Sequence, residues 1–344
     1  MKIWLRVNSL KPRSSWVVVW EELCKALKEN GHEVFDDITT APKDVENFIE
    51  LWWGDPAFWE WSDFNISKVG YALSEARSIQ AHGRWKALSN LQKCDLLCCP
   101  SFQASIAYLE APLDIPIEIV PFGVDIQHFK YIKRTLSLPF KFLHLGVAQF
   151  RKGSWLVPEA FIKTFTKKDQ VKLTISSFLP SKEVKLLEQE YGKHPDIIFN
   201  IKEVADPFDL YKEHHVLVSP HLSEGWGMCI TEAMSTGMPC LIARCSTPRE
   251  YFSKDYGWWI EMSEDYAPVS DCLTGTSGFW RLPDIESLCF NMRYIFDHQD
   301  EVLLKGDNAS RYITENYTWK MSAEKLVQVI NKHLNVKITE TIWK

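Results

Sequence analysis

The 344-residue sequence has no long apolar run, no excess of positive charge and no cysteine framework, and each absence closes a class of function. Its apolar segment Trp16-Val17-Val18-Val19-Trp20 stops after five residues at Glu21-Glu22, far short of the roughly 20 residues that a membrane span requires. The same segment lacks the length and the small-residue cleavage site of a secretion signal, so the expected location is the cytoplasm. A formal net charge of −6 argues against a nucleic-acid binder that works through overall positive potential, while a local basic groove stays open. Nine cysteines are scattered, and Cys94-x3-Cys98-Cys99 lacks zinc-site spacing, so they read as reduced, mostly buried thiols. The sequons at Asn65, Asn308 and Asn316 are then chance matches. What is present is the composition of a folded chain, 46% hydrophobic and 24% charged. Its length exceeds what one hydrophobic core usually serves, which predicts two domains.

Strand-like and helix-like segments alternate. Lys2 to Val7 is a first strand, 16 to 29 an amphipathic helix, and Asn30 to Val34 ends that helix and opens a second strand. Cys94 to Ser101 reads as a short buried strand, with a helix over 102–109 and another strand at Ile117 to Val120. The second half repeats the logic, with strands near 141–145, 171–176, 197–200, 216–219 and 239–243 and helices near 154–166, 181–191, 207–213 and 228–236. This order predicts an α/β fold of two doubly wound sheets, whose ligands bind at the carboxyl ends of the strands.

The most informative stretch is Ser223-Glu224-Gly225-Trp226-Gly227-Met228-Cys229-Ile230-Thr231-Glu232, running on to Gly237 and Pro239. It follows the buried-strand run Val216 to Pro220, and Gly225 and Gly227 let the backbone turn sharply and approach a ligand. Free amides at the start of the following helix form an anion site, with diphosphate the obvious candidate. Taken alone, the favoured reading is Glu224 as a cap-region acid and Glu232 as a solvated helix residue, so other segments must decide.

Glu224 to Glu232 resembles the E-x7-E signature of retaining glycosyltransferases of GT-B fold, family 4 or "group 1". Three further stretches resemble the same family in the same order. Phe142 to Gly146, Phe150-Arg151-Lys152-Gly153 and Glu159-Ala160-Phe161 are similar to the strand, lysine loop and helix that open its C-terminal domain. Val120-Pro121-Phe122-Gly123-Val124-Asp125 with Phe129 resembles the segment ending its N-terminal domain, and Asn316 to Trp319 the turn before its last helix. The resemblance implies two Rossmann-like domains facing a cleft: 1–135 on the acceptor side, joined by the returning helix of 320–344, and 136–319 on the nucleotide-sugar side. It implies transfer of a sugar from a UDP- or GDP-linked donor to an acceptor hydroxyl with retention, without a metal or other cofactor. Lys152, Arg151 and Glu224 would be the catalytic set. Donor contacts would come from Gly225, Trp226, Gly227, Met228, Cys229, Val204 and Ser15, with Glu232 on the ribose.

Departures from the family pattern keep alternatives open. Val147 stands where the family usually has an arginine after the strand glycine, and Asn8 to Ser15 replaces its glycine-rich loop, leaving Ser14 and Ser15 to cap the helix and touch phosphate. Glu75 stands where many members carry a histidine and is the acceptor-side candidate, against an ordinary helix-start acid. A non-catalytic nucleotide-sugar-binding module, or an epimerase or hydrolase on the same fold, is therefore the alternative. The tryptophans at 52, 53, 59 and 61 are either a stacking platform or core anchors, the core being favoured. Ala81 to Lys86 is either a contact for an anionic acceptor or a solvated helix face, the solvated face being favoured. The acceptor stays open among glycan, lipid, small metabolite and modified DNA base, as does the oligomeric state.

Overall fold

A computed structural model describes residues 1–7, 15–37, 40–75, 84–201, 206–271 and 276–334. The chain divides into two compact units: Met1–Gly123 with Val269–Gly278 and Tyr317–Lys344, and Val124–Pro268 with Phe279–Asn316.

The first unit holds β1 (Lys2–Val7), α1 (Ser15–Glu29), β2 (Glu33–Phe35), β3 (Ile49–Trp53), β4 (Lys68–Tyr71), α2 (Arg84–Leu91), β5 (Leu96–Cys99), α3 (Phe102–Leu109) and β6 (Ile117–Ile119). Its sheet is all parallel in the order β2-β1-β3-β4-β5-β6. Strands of such a sheet are covered on both faces, which is why Leu96-Leu97-Cys98-Cys99 is apolar throughout and fully buried.

The aromatic segment proves to be structural. Trp52, Trp53 and Trp59 are buried. Trp53 donates its indole N–H to Trp16 O at 2.7 Å and packs edge-on to Tyr71 and Phe122. On the opposite face, beside Trp52, lies a fully buried carboxylate, Glu50, paired with Arg6 at 2.6 Å and bonded by the Trp52 indole and by the Ser62 amide and hydroxyl. The Arg6 guanidinium in turn stacks 4.2 Å from the Trp52 ring centroid. A buried acid satisfied on every side fastens the tryptophan loop to the sheet. Trp85, in contrast, is 80% exposed on α2, while Ala81 to Gly83 lie outside the described residues.

In the second unit follow β7 (Phe140–Leu145), α4 (Leu156–Thr164), β8 (Val171–Ser176), α5 (Lys182–Tyr191), β9 (Ile197–Asn200), α6 (Pro207–Glu213), β10 (Val216–Ser219), α7 (Met228–Ser235), β11 (Cys240–Ala243) and β12 (Gly257–Ile260). The paired strands β13 (Met262–Asp271) and β14 (Thr276–Pro283), then α8 (Ile285–Asp297) and α9 (Gln299–Asn316), complete this part of the sequence. Its parallel sheet runs β12-β11-β10-β7-β8-β9. Strand order therefore reverses between β7 and β10, the switch point at which doubly wound sheets bind their ligands. The last helix, α10 (Trp319–Leu334), packs against α1 in the first unit.

The residues from Val124 to 135, expected with the first domain, pack with the second. Ser235 donates to Phe129 O, and Ile132 N to Thr236 O. Arg134 is spread over the carbonyls of Tyr211, His214 and Gly237 at 2.7, 2.7 and 2.9 Å. Backbone oxygens at two helix ends lack partners of their own, and the guanidinium fork supplies them.

Candidate functional site

The site grows from the two strands that flank the switch point. After β7 the chain forms a single 3-10 turn, Phe150–Lys152, ended by Gly153 at φ 64°. A Cβ on Gly153 would lie 1.9 Å from Pro220 O, so only glycine lets this turn press against the loop after β10. The two loops are then laced together, Leu222 N donating to Arg151 O at 2.8 Å and Arg151 Nη1 to Ser223 O at 2.7 Å.

This lacing brings three charges together. Lys152 Nζ is paired with Glu224 Oε1, and Arg151 Nη1 lies 3.3 Å from Glu224 Oε2. The Glu224 side chain is only 6% exposed. Burial alone would raise the pKa of its carboxyl, but the adjacent Lys152 and Arg151 charges outweigh it and hold the group ionised, well below the usual range. The Glu224 amide donates to Ser246 Oγ at 2.9 Å. Ser246 has φ 48°, the positive-φ non-glycine position of the described chain; such backbone strain persists only where the surroundings enforce it, commonly at functional sites.

Beyond Glu224, Gly227 takes φ 93° and opens α7 without a side chain to cap its first amides. Gly225, Trp226 and Gly227 are buried, with Met228 and Cys229 partly so. The Trp226 ring packs 5.1 Å from Tyr251, whose hydroxyl donates to Trp226 O at 2.7 Å. One turn into α7, Glu232 Oε2 accepts the Tyr211 hydroxyl at 2.8 Å. Burial pushes its carboxyl up to about 7, although the Tyr211 hydrogen bond opposes this. Nearby, His128 Nε2 meets Asp206 Oδ1 at 2.9 Å.

Of the sequence candidates, the structure brings Lys152, Arg151 and Glu224 into one cluster, with Gly225 to Cys229 and Glu232 following on the same loop and helix. Ser15 and Glu75 belong to the first unit. Ser15 is the exposed first residue of α1, and Glu75 is partly buried beyond β4, after a segment pinned by Ser74 N to Ala104 O. Val204 and Ser14 lie outside the described residues.

Sequence reasoning missed two histidines. His144 on β7 is 2% exposed and bridges Val218 O (Nδ1, 2.9 Å) to Ser154 Oγ (Nε2, 2.8 Å). It joins the strand leading to Glu224 to the residue two beyond Lys152, and burial holds its pKa down to about 4, so it is a neutral bridge. His221 is fully buried three residues before Glu224. A histidine inside an apolar strand run, followed ten residues later by serine at a helix entry, was the available signal for His144.

Residues 130–269, which contain the whole of this cluster, match the family described as Glycosyl transferases group 1. Solved structures match almost the whole chain at low identity. Sucrose-phosphate synthase from Thermosynechococcus elongatus is similar with TM-score 0.72 at 15% identity, covering 97% of this chain and 99% of that one. A glycosyltransferase from Rickettsia africae ESF-5 gives 0.72 at 13%, covering 96% and 98%. HepE from Anabaena, in complex with UDP-glucose, gives 0.66 at 13%, covering 96% and 100%. No curated protein matches the chain in sequence. The fold is GT-B, with two Rossmann-like domains, and the segment carrying Lys152 and Glu224 is similar to the group 1 glycosyltransferase family.

Proposed function

We propose that the chain is a glycosyltransferase that moves a sugar from a nucleoside-diphosphate sugar to an acceptor hydroxyl, with retention at the anomeric carbon. The observation that carries this reading is the Lys152–Glu224–Arg151 cluster at the carboxyl end of the strands flanking the switch point. Lys152 and Arg151 are the cations for a diphosphate, and Glu224 is the carboxylate for hydroxyls of the donor sugar. The amides opening α7 add fixed dipoles toward the phosphate, and Glu232 accepts from the ribose.

In the transfer, the acceptor oxygen bonds to the anomeric carbon as that carbon's bond to the phosphate oxygen breaks. The acceptor proton passes to the departing phosphate on the same face, and no protein nucleophile is required. Charge grows on the leaving group as the bond lengthens, so preplaced cations and amides stabilise the transition state more than the bound donor. HepE structures holding UDP-glucose or UDP support testing UDP-linked donors before GDP-linked ones. On this reading no resident cofactor takes part, and Glu75 belongs to the acceptor side.

Val147, in place of an arginine, favours one rival, a non-catalytic nucleotide-sugar-binding module. Release of nucleoside diphosphate from UDP- and GDP-linked sugars, with and without pooled acceptor hydroxyl compounds, separates the readings. Acceptor-dependent release supports transfer. Tight donor binding without release supports the binding module, and undiminished turnover without acceptor supports a hydrolase or epimerase.

A further inference from the structure

The imidazole of His221 is the buried group that the transfer reading leaves without a task. It lies in the loop between β10 and Glu224 and is fully buried. Its Nδ1 is 3.0 Å from Ser219 O, which accepts only a hydrogen, so the proton sits on Nδ1 and the lone pair on Nε2. The Ser219 hydroxyl lies 3.2 Å from the same nitrogen. Nε2 is buried with no hydrogen-bond partner among the described residues. An orphaned buried acceptor is costly in a folded protein and calls for a reason.

The charges facing His221 supply one. They are Glu224 on its own loop and Lys152 and Arg151 on the turn after β7. From the loop after β11, Cys245 Sγ donates to His221 O at 3.2 Å; its thiol is pushed up to about 12 by burial and stays uncharged. In the ligand-free chain the two cations neutralise Glu224, and His221 has no reason to be charged. Burial, and then Lys152 and Arg151, hold its pKa down to about 4, against the pull of Glu224.

A diphosphate alters this balance. Once phosphate oxygens claim Lys152 and Arg151, Glu224 is a buried carboxylate stripped of its counter-charges, a state that is strongly destabilised unless another cation is found. The nitrogen able to accept a proton there is His221 Nε2. We propose that His221 is a positioning residue of the donor site, taking up one proton when a diphosphate draws Lys152 and Arg151 from Glu224, and so keeping Glu224 ionised toward the sugar hydroxyls. The proton comes from solvent and forms a new N–H bond at Nε2, with no other bond made or broken. The proposal rests on the transfer reading of this site.

The test is the imidazole nitrogen spectrum of the full chain labelled with ¹⁵N-histidine, with and without saturating UDP or GDP at pH 7. His221→Asn identifies the His221 signals among the ten histidines, and His221→Gln serves if the first variant does not fold. The expected result is that the His221 Nε2 signal changes from a bare to a protonated nitrogen on saturation at pH 7, its titration midpoint rising by more than three pH units from about 4. Saturable changes elsewhere in the spectrum, with His221 still neutral, would overturn this inference and leave the donor-site reading standing. A spectrum that neither nucleotide moves would overturn both.

Discussion

Glu232 gives the prediction with the most direct physical content. Its carboxyl is pushed up to about 7 by burial, against the Tyr211 hydroxyl and nearby His128, which favour the ionised form. In the unfolded chain the same group titrates near the ordinary glutamate value of about 4.3. Between these two values the folded protein keeps a proton that the unfolded chain has released, so stability falls as pH rises through this window. The contribution is fully present below the unfolded value, is lost progressively up to about pH 7, and is constant above it. A shift of this size corresponds to about 3 kcal/mol. For a domain of this size that is roughly 6–12 °C in melting temperature. Glu232→Gln cannot titrate, so the difference in Tm between wild type and variant isolates the group from all others. Melting curves followed by far-UV circular dichroism from pH 4.5 to 8 should show wild type losing ground to the variant up to about pH 7 and then running parallel. A constant difference across that range would refute the burial argument. Saturating UDP should reverse the trend near neutrality, because ribose hydroxyls bind the ionised carboxylate.

Three further outcomes follow from packing. Gly153→Ala places a methyl group against Pro220 O at a positive φ, so the lysine turn must move; donor turnover should fall at least tenfold while the melting temperature drops by only a few degrees. Arg134→Ala orphans the Tyr211, His214 and Gly237 carbonyls; urea unfolding followed by fluorescence should give a loss of about 3 kcal/mol or more. Trp53→Ala removes a buried ring that packs on Tyr71 and Phe122, with an expected loss of about 3–5 kcal/mol in the same assay and no specific loss of UDP binding.

The architecture was legible wherever a buried parallel strand produced an unbroken apolar run. Val171–Ser176 and Val216–Ser219 fall where the sequence places them, because strands covered on both faces carry no competing polar pattern. β3 and β4 were hidden by the aromatic segment around them, since Trp52 and Trp53 read as core anchors or a stacking platform and not as part of a strand, before Glu50 and Arg6 reveal how the rings are fastened inside. The boundary between the units was misplaced past Gly123 for a related reason. Nothing local to Arg134 marks the three carbonyls that it caps from two helix ends.

The charged cluster was legible through the spacing of Glu224 and Glu232 and the Arg151-Lys152-Gly153 turn. That Lys152 and Glu224 hold each other is a tertiary fact, created by the close approach of Gly153 to Pro220. His221 and Ser246 were not legible for the same reason, and His144 only through its place in an apolar strand run: His144 reaches Ser154 and Val218, 10 and 74 positions away, Ser246 takes the amide of Glu224, 22 positions away, and His221 Nε2 has no partner among the described residues.

The central claim is that Lys152 leaves Glu224 to take the leaving diphosphate. Single-turnover release of nucleoside diphosphate, at saturating donor and in the presence of acceptor, tests it with wild type against Lys152→Ala. Loss of one preplaced donor to the growing charge predicts a rate about 10²–10³-fold lower, with donor still bound. Equal rates for the two proteins would contradict the account.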